Sequence, residues 1–470
     1  MSKEAMRKIL NSLAEEEYLS IVGQKASDPL DAFAQRRAIR PGMGGQAPIM
    51  PPARAQGLWQ ERMSKQADAK NKRAAYIHIP FCSHICLYCG FFQNYANEAA
   101  ETHYLDHLAK ELEADKDKPY LTSGIVNTVF FGGGTPSALS PSNITRLLQT
   151  VRNCLPLAND CEITLEARIN DLTGDKMDAW FANGVNRVSI GVQSFDTAVR
   201  QSVGRLDSQE ECIERLTAIS ARNQASIIID IIYGLPGQTG ASFRQDLKII
   251  DRLPIDGMDL YQLSVFEDGP LIKAIGAGSL PPAAKTSEQA RMFADAVKWL
   301  DERAYFRLSS CHWAKNSRER SMYNFLVKSG VEIFPYGSGA GGNIGGMSVM
   351  LCRDLKKYCE AVGKGLKPIM VSFLREEGGG LSGDILRQLE IGYFNLGEIT
   401  EKYGGALDGL EVLLDLWVER GLFEKGPALY RLSVAGQFWV KNIAQLLTEY
   451  AGALRGGEKA PNGRPAAGQG

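Results

Sequence analysis

No apolar run in the chain approaches the ~20 residues that a membrane-spanning helix requires. The N-terminal stretch MSKEAMRKILNSLAEEEYLS is charged and amphipathic and lacks the apolar core of a secretory signal. An excess of charge of one sign is missing too. The 53 Lys and Arg face 54 Asp and Glu, a formal net charge of −1, so nothing pulls the whole molecule toward nucleic acid or an anionic membrane. These absences predict a cytoplasmic protein with no membrane insertion and no nucleic-acid partner. Histidine is scarce, with five residues, and nine cysteines in 470 residues are too few, and odd in number, for a disulfide framework. Six of them, Cys154, Cys161, Cys212, Cys311, Cys352 and Cys359, are scattered and read as small buried hydrophobes. The other three stand together.

What is present is a large apolar content, 44%, enough for a sizeable core, and a length that suggests two to four domains. Residues 1–73 read as a helical and irregular extension that includes the Pro/Gly-containing RPGMGGQAPIMPPARAQG. From residue 74 short β-rich runs recur: AAYIHIP, NTVFFGG, CEITLEA, NRVSIGV, ASIIIDIIYGLP and MDLYQLSV. Helix-like segments lie between them, at 100–118, 141–154, 174–183, 196–203, 208–222 and 240–253. Apolar strands alternating with helices indicate a parallel sheet covered by helices. Six units fall two short of a closed eight-stranded barrel, so the expected fold is α/β, a partial (β/α)6 TIM-like barrel over 74–345. The glycine-rich YGSGAGGNIGG closes it. Residues 346–455 read as a mainly helical, winged-helix-like domain, and 456–470 as a disordered tail.

In such folds chemistry gathers at the C-terminal ends of the strands. Directly after the first run comes YIHIPFCSHICLYCGFF, with Cys82, Cys86 and Cys89 spaced CxxxCxxC. A structural zinc site needs a fourth Cys or His nearby, and His84, lodged between two ligands, is awkwardly placed for that role. Buried free thiols are the bland alternative. Three thiolates on one loop suit a [4Fe–4S] cluster whose fourth iron stays open, free to bind the amino and carboxylate groups of S-adenosylmethionine (SAM).

With YIHIPFC, FFGGGTPS, RVSIGVQSF and DIIYGLPGQT in this order, the chain resembles the radical SAM superfamily. Within it, the similarity is to the branch of oxygen-independent coproporphyrinogen III oxidase and its relatives. The resemblance is strong over 74–345 and weak beyond. It implies that Cys82, Cys86 and Cys89 carry the cluster and that Tyr76, Gly133, Glu166 and Asn343 contact its SAM. It further implies a second SAM, held by Tyr88, Gly134, Thr135, Gln193, Arg205, Asp230 and Ser264. Read alone, Arg205 is a surface ion-pair residue, Gln193 a polar residue of the barrel interior, and the glycines a turn.

Two departures narrow the implied activity. Phe91 stands where the oxidase branch has a further cysteine, and Gly90 where the haem-chaperone branch usually has an acidic residue. The long extension and the aromatic GFFQN are most similar to anaerobic haem-degrading radical SAM methyltransferases. The resemblance then implies haem as substrate and a SAM methyl-derived carbon transferred to a meso carbon. The porphyrin opens to a linear tetrapyrrole and iron is released. A flavodoxin- or ferredoxin-type electron donor and a downstream tetrapyrrole reductase are the implied partners. A haem chaperone and a coproporphyrinogen III decarboxylase are the alternatives. Phe91, Phe92, Tyr95 and Trp313 are candidates to stack on the macrocycle. His312 and Cys311 read as core or loop residues rather than haem ligands, and His78 as support for the cluster loop. His103 and His107, at i and i+4, read as a solvated helix face without a third ligand.

Overall fold

The computed structural model describes residues 3–37, 48–68, 70–91, 93–374 and 380–456. Much of the Pro/Gly-containing stretch, Phe92 and all but the first residue of the expected tail lie outside the described residues. Six parallel strands follow the apolar runs: β1 (Arg73–Ile79), β2 (Val126–Gly133), β3 (Leu157–Arg168), β4 (Arg187–Gln193), β5 (Ser226–Tyr233) and β6 (Gly257–Gln262). Between and after them come helices Glu98–Asp115, Pro141–Cys154, Gly174–Ala182, Gln209–Ala221, Gly240–Arg252 and Thr286–Glu302. Local chemistry sets where these begin. Ser140 caps its helix through the amide of Asn143, with Pro141 at the first helical position, where its missing N–H costs nothing. Ser208 and Glu211 form a reciprocal capping box.

Six further strands extend the sheet: β7 (Phe306–Arg307), β8 (His312–Ala314), β9 (Glu332–Tyr336), β10 (Gly341–Ile344), β11 (Met347–Leu351) and β12 (Ile369–Leu374). The order is β12-β11-β10-β9-β1-β2-β3-β4-β5-β6-β8-β7. β9 pairs in parallel with β1, a seventh parallel strand that the repeat pattern does not announce, because EIFPY is short and contains a proline. Its pairing with β10 is confined to Ile333 and Asn343, which leaves room for Pro335. The expected barrel end at 345 falls in the turn between β10 and β11, and the sheet runs on past it.

The C-terminal part has the order helix Gly380–Glu390, strand Tyr393–Phe394, helices Leu396–Tyr403 and Leu410–Glu419, then hairpin Phe423–Lys425 with Tyr430–Leu432. That is a winged-helix arrangement. The N-terminal extension is stapled onto it. The indole N–H of Trp417 donates to Ile21 O at 3.1 Å, that of Trp439 to Leu30 O at 3.0 Å, and Asn442 bonds the backbone at Gln35 and Arg37. The first residues of the chain thus meet its last helices beside the C-terminal ends of β5 and β6.

Candidate active site

The cysteine loop leaves β1 through a two-residue strand, Phe81–Cys82, that pairs with Asn94–Tyr95 and closes the loop upon itself. Backbone bonds pin it at Leu87 N to Val203 O and Leu271 N to Leu87 O, each 3.1 Å. Gly204, at φ +88°, lets that neighbour approach, since a Cβ there would lie 2.7 Å from Ile85 O. Cys82 and Cys86 are buried and Cys89 is half-buried. Cys82 Sγ accepts from the Thr135 hydroxyl at 3.3 Å, and Cys89 Sγ from the Phe91 amide at 3.3 Å. Burial pushes the Cys82 thiol up, while Thr135 and the Arg168 guanidinium pull it down. Arg168 also donates to His84 O at 2.9 Å, tying the loop to the end of β3.

The donor set fits an iron–sulfur cluster: three thiols on one pinned loop, with hydroxyl and amide donors aimed at sulfur. Among the described residues the three sulfurs do not converge within 4.8 Å, as a single tetrahedral ion would require.

The upper interior of the barrel lies beside this loop. Tyr76, Phe130 and Tyr323 form an aromatic floor, with ring centroids of Tyr76 and Phe130 6.2 Å apart and of Phe130 and Tyr323 4.6 Å apart. Glu166 accepts from the Gly133 amide at 3.2 Å. Gly133 has φ +114°, and a Cβ there would strike His78 at 2.6 Å, so glycine lets the end of β2 close over β1. Burial, and then the Asp230 carboxylate, push Glu166 up to about 8. Burial and Asp259 push Asp230, held by the Ser189 hydroxyl at 3.1 Å, up to about 7. Among the described residues these two acids bond the Gly133 amide and the Ser189 hydroxyl, and no cation is bonded to either.

Beside them a register slip between Gly191 and Gln193, with Gln193 at φ +74°, re-aims the Gln193 side chain. Its Oε1 is buried without a partner. Arg205 donates to Tyr88 Oη at 3.1 Å and to Gly191 O at 3.1 Å. An orphaned carbonyl oxygen, two uncompensated carboxyls and a positioned guanidinium suit a zwitterionic, hydroxyl-bearing ligand such as SAM.

The structure therefore brings Tyr76, Tyr88, Gly133, Gly134, Thr135, Glu166, Gln193, Arg205 and Asp230 to one mouth around the cysteine loop. Ser264 is exposed just after β6 and opens on a neighbouring cavity. Asn343 is not in this group. Its carboxamide accepts from Ile333 N at 3.0 Å and donates to Val331 O at 3.4 Å, joining β10 to β9 level with the start of β1. Arg168, Ser189 and Tyr261 belong to the mouth and went unnoticed in the sequence. Strand alternation points to Arg168, two residues beyond Glu166, but not to Ser189, four residues before Gln193 across a register slip, or Tyr261, three before Ser264.

His78 bonds Tyr76 Oη at 3.1 Å and Gln93 at 3.2 Å, and burial lowers its pKa to about 4, consistent with a neutral brace beneath the loop. His312 is a core residue, with one nitrogen 2.8 Å from Asp259 and the other 3.0 Å from Glu319. Trp313 is 1% exposed under the Arg307 guanidinium and is withdrawn from any macrocycle, whereas Phe91 is 70% exposed. His103 and His107 do gain a third donor, because the thiol of Cys359 from a neighbouring helix lies within 4.8 Å of them. Sequence spacing could not show it, 252 residues away.

The signature of the radical SAM superfamily matches residues 76–250. Anaerobilin synthase of Escherichia coli O157:H7 is 36% identical over 434 residues, 92% of this chain and 95% of that one. The heme chaperone HemW of Bacillus subtilis is 29% identical over 78% of this chain and 96% of its own. The structure of coproporphyrinogen III oxidase (HemN) from Escherichia coli superposes with a TM-score of 0.71 at 20% identity, covering 88% of this chain and all of that one. With its cysteine loop at the mouth of a partial barrel, and with a likeness to anaerobilin synthase that spans extension, barrel and winged helix, the chain belongs to the radical SAM superfamily, in the family of anaerobilin synthase.

Proposed function

We propose that this protein degrades haem without oxygen, as a radical SAM C-methyltransferase in the cytoplasm. The proposed conversion takes haem and SAM to a methylated linear tetrapyrrole and releases the iron. The observation that carries this reading is the likeness to anaerobilin synthase over nearly the whole of both chains, extension and winged helix included. Phe91, in place of a further cysteine, agrees with it. When bound, the cluster and SAM supply a low-potential electron and a 5′-deoxyadenosyl radical.

The chain's own residues hold, orient and shield. Cys82, Cys86 and Cys89 are the proposed cluster ligands, with Thr135 and the Phe91 amide bonded to sulfur. Glu166, which suits ribose hydroxyls, and Tyr76 with Gly133 are proposed to hold one SAM. Tyr88, Gly134, Thr135, Gln193, Arg205, Asp230 and Ser264 are proposed for a second. An acid held near pH 7–8 ionises fully once a cation faces it, so Glu166 and Asp230 favour a ligand bearing ammonium or sulfonium charge. The aromatic floor of Tyr76, Phe130 and Tyr323 keeps water from below. Exposed Gly90 and Phe91 bring the loop to the surface, where a flavodoxin- or ferredoxin-type donor can approach. No described helix is long and apolar enough to cross a membrane. A downstream reductase is proposed to receive the linear product.

Anaerobic, cluster-loaded protein with SAM, haem and a reductant tests the proposal. Loss of the haem Soret band with a methylated linear product is expected, and its absence in Cys82→Ala. Bound haem with an unchanged Soret band points to a chaperone, and carbon dioxide from coproporphyrinogen to a decarboxylase; either result overturns degradation.

A further inference from the structure

Between the rim of β6, the N-terminal extension and the winged-helix part lies a cavity of about 310 Å³. Four charged side chains line it: Arg36, Lys328, Glu390 and Lys441. Glu390 is committed, accepting from Lys328 at 2.8 Å and from the Ser310 hydroxyl at 2.8 Å. That leaves two cations. Arg36 Nε is buried without a partner, and its guanidinium lies 5.9 Å from the centre of the Phe438 ring. Lys441 has no carboxylate bonded to it among the described residues, and burial together with Arg36 lowers it to about 8.

Uncompensated buried cations are unfavourable, and proteins pair them or keep them for an anion. The rest of the wall is largely apolar, with Leu260, Phe293, Leu386 and Leu389 among its members. The cavity also adjoins the mouth of the barrel. Tyr261 lines it and is 42% exposed, yet burial first, then Asp259, Cys311, Asp230 and Glu166, hold its hydroxyl well above the ordinary value. Tyr261 therefore stands between the cavity it lines and the acids of the mouth that act on its hydroxyl.

We propose that this cavity binds a pair of carboxylates carried on an apolar ligand, with Arg36 and Lys441 as the counter-charges and the ligand's body directed toward Tyr261 and the barrel. Resting on the reading of haem as substrate, the carboxylates are its two propionates. The extension and the last helix then select the substrate by its acidic edge, because each supplies one of the two cations.

The test titrates full-length, cluster-loaded protein anaerobically with haem and with haem dimethyl ester, followed by the Soret band. The wild type is expected to bind haem about 10-fold or more tightly than the ester, as charge-assisted bonds require. Arg36→Met/Lys441→Met is expected to bring haem down to the ester's affinity and leave the ester unchanged. Its thermal unfolding midpoint without haem is expected to equal or exceed that of the wild type, since two uncompensated charges are gone; a clear fall assigns the pair a structural role and overturns the inference. Lys441→Met alone repeats the comparison with a single charge removed, and an unchanged haem-to-ester ratio in either variant also overturns the inference. A wild type that binds both porphyrins alike overturns the cavity's role and leaves the haem reading intact. A wild type that binds neither removes the haem reading and the inference with it.

Discussion

The upper and lower halves of the barrel interior are built from the same strands, and both are rich in charge, yet they treat it in opposite ways. Below, Glu319 meets Arg187 at 3.1 Å, His312 at 3.0 Å and the Ser226 hydroxyl at 3.0 Å, while Asp259 takes the other His312 nitrogen. The result is two acids beside a guanidinium and an imidazole pushed up to about 9, with Glu319 brought down to about 2. Above, Glu166 and Asp230 have no basic side chain bonded to them among the described residues and rise to about 8 and 7. Asp230 and Asp259 are register partners on adjacent strands. A separation of one strand divides paired acids from acids with no bonded cation among the described residues. The lower network closes the barrel, with the chain between β8 and β9 threading beneath it, whereas the upper acids bond the Gly133 amide and the Ser189 hydroxyl.

This contrast makes opposite predictions for substitutions on either side. The largest effect belongs below. Glu319→Ala leaves Arg187 and His312 buried without their counter-charge and is expected to cost about 3–5 kcal/mol in chemical denaturation. A loss under about 1 kcal/mol would mean that the lower network is not a structural lock. SAM affinity of the folded fraction should stay near wild type.

Above, Glu166→Gln should do the reverse. SAM affinity, read by calorimetry, is expected to fall about 10-fold, or about 1.4 kcal/mol, with no loss of stability. The sign follows from linkage. A carboxyl raised from 4.5 to about 8 contributes stability that is present below 4.5 and lost as pH rises through 8. The glutamine variant without SAM should therefore be the more stable protein at pH 8, and a less stable variant there contradicts an uncompensated Glu166.

The smallest effect is a pH drift. His312, raised from 6.5 to about 9, contributes stability present below 6.5 and lost as pH rises through 9. The thermal midpoint of the wild type should sag across that window, and His312→Gln should start lower and show less of the sag. Equal slopes in the two proteins would detach His312 from the lower network.

Much of this was legible beforehand because it is local. The helix expected at 141–154 is found at Pro141–Cys154 and that at 240–253 at Gly240–Arg252, since caps, prolines and apolar spacing act within one or two turns. The strands β1–β6 follow continuous apolar runs. What escaped is non-local or irregular. β9 carries a proline and pairs with a strand more than 250 residues earlier. Asn343 lies near the glycine-rich closure in sequence, yet its carboxamide is spent on the backbone of β9. Trp313 stands in a loop-like string, and the antiparallel pairing of β8 with β6 buries it.

The sequence by itself determined the chemistry that one loop can carry. Cys82, Cys86 and Cys89 lie within eight residues, so any fold that keeps the loop keeps three thiols together, and apolar runs alternating with helices left little choice but a parallel barrel around it. Only the tertiary structure decided which charges are paired and which are left waiting. Glu319 reaches Arg187 across 132 residues, and Arg36 shares a cavity with Lys441 across some four hundred. Electrostatic compensation depends on distance in space and on exclusion of water, and spacing along the chain reports neither.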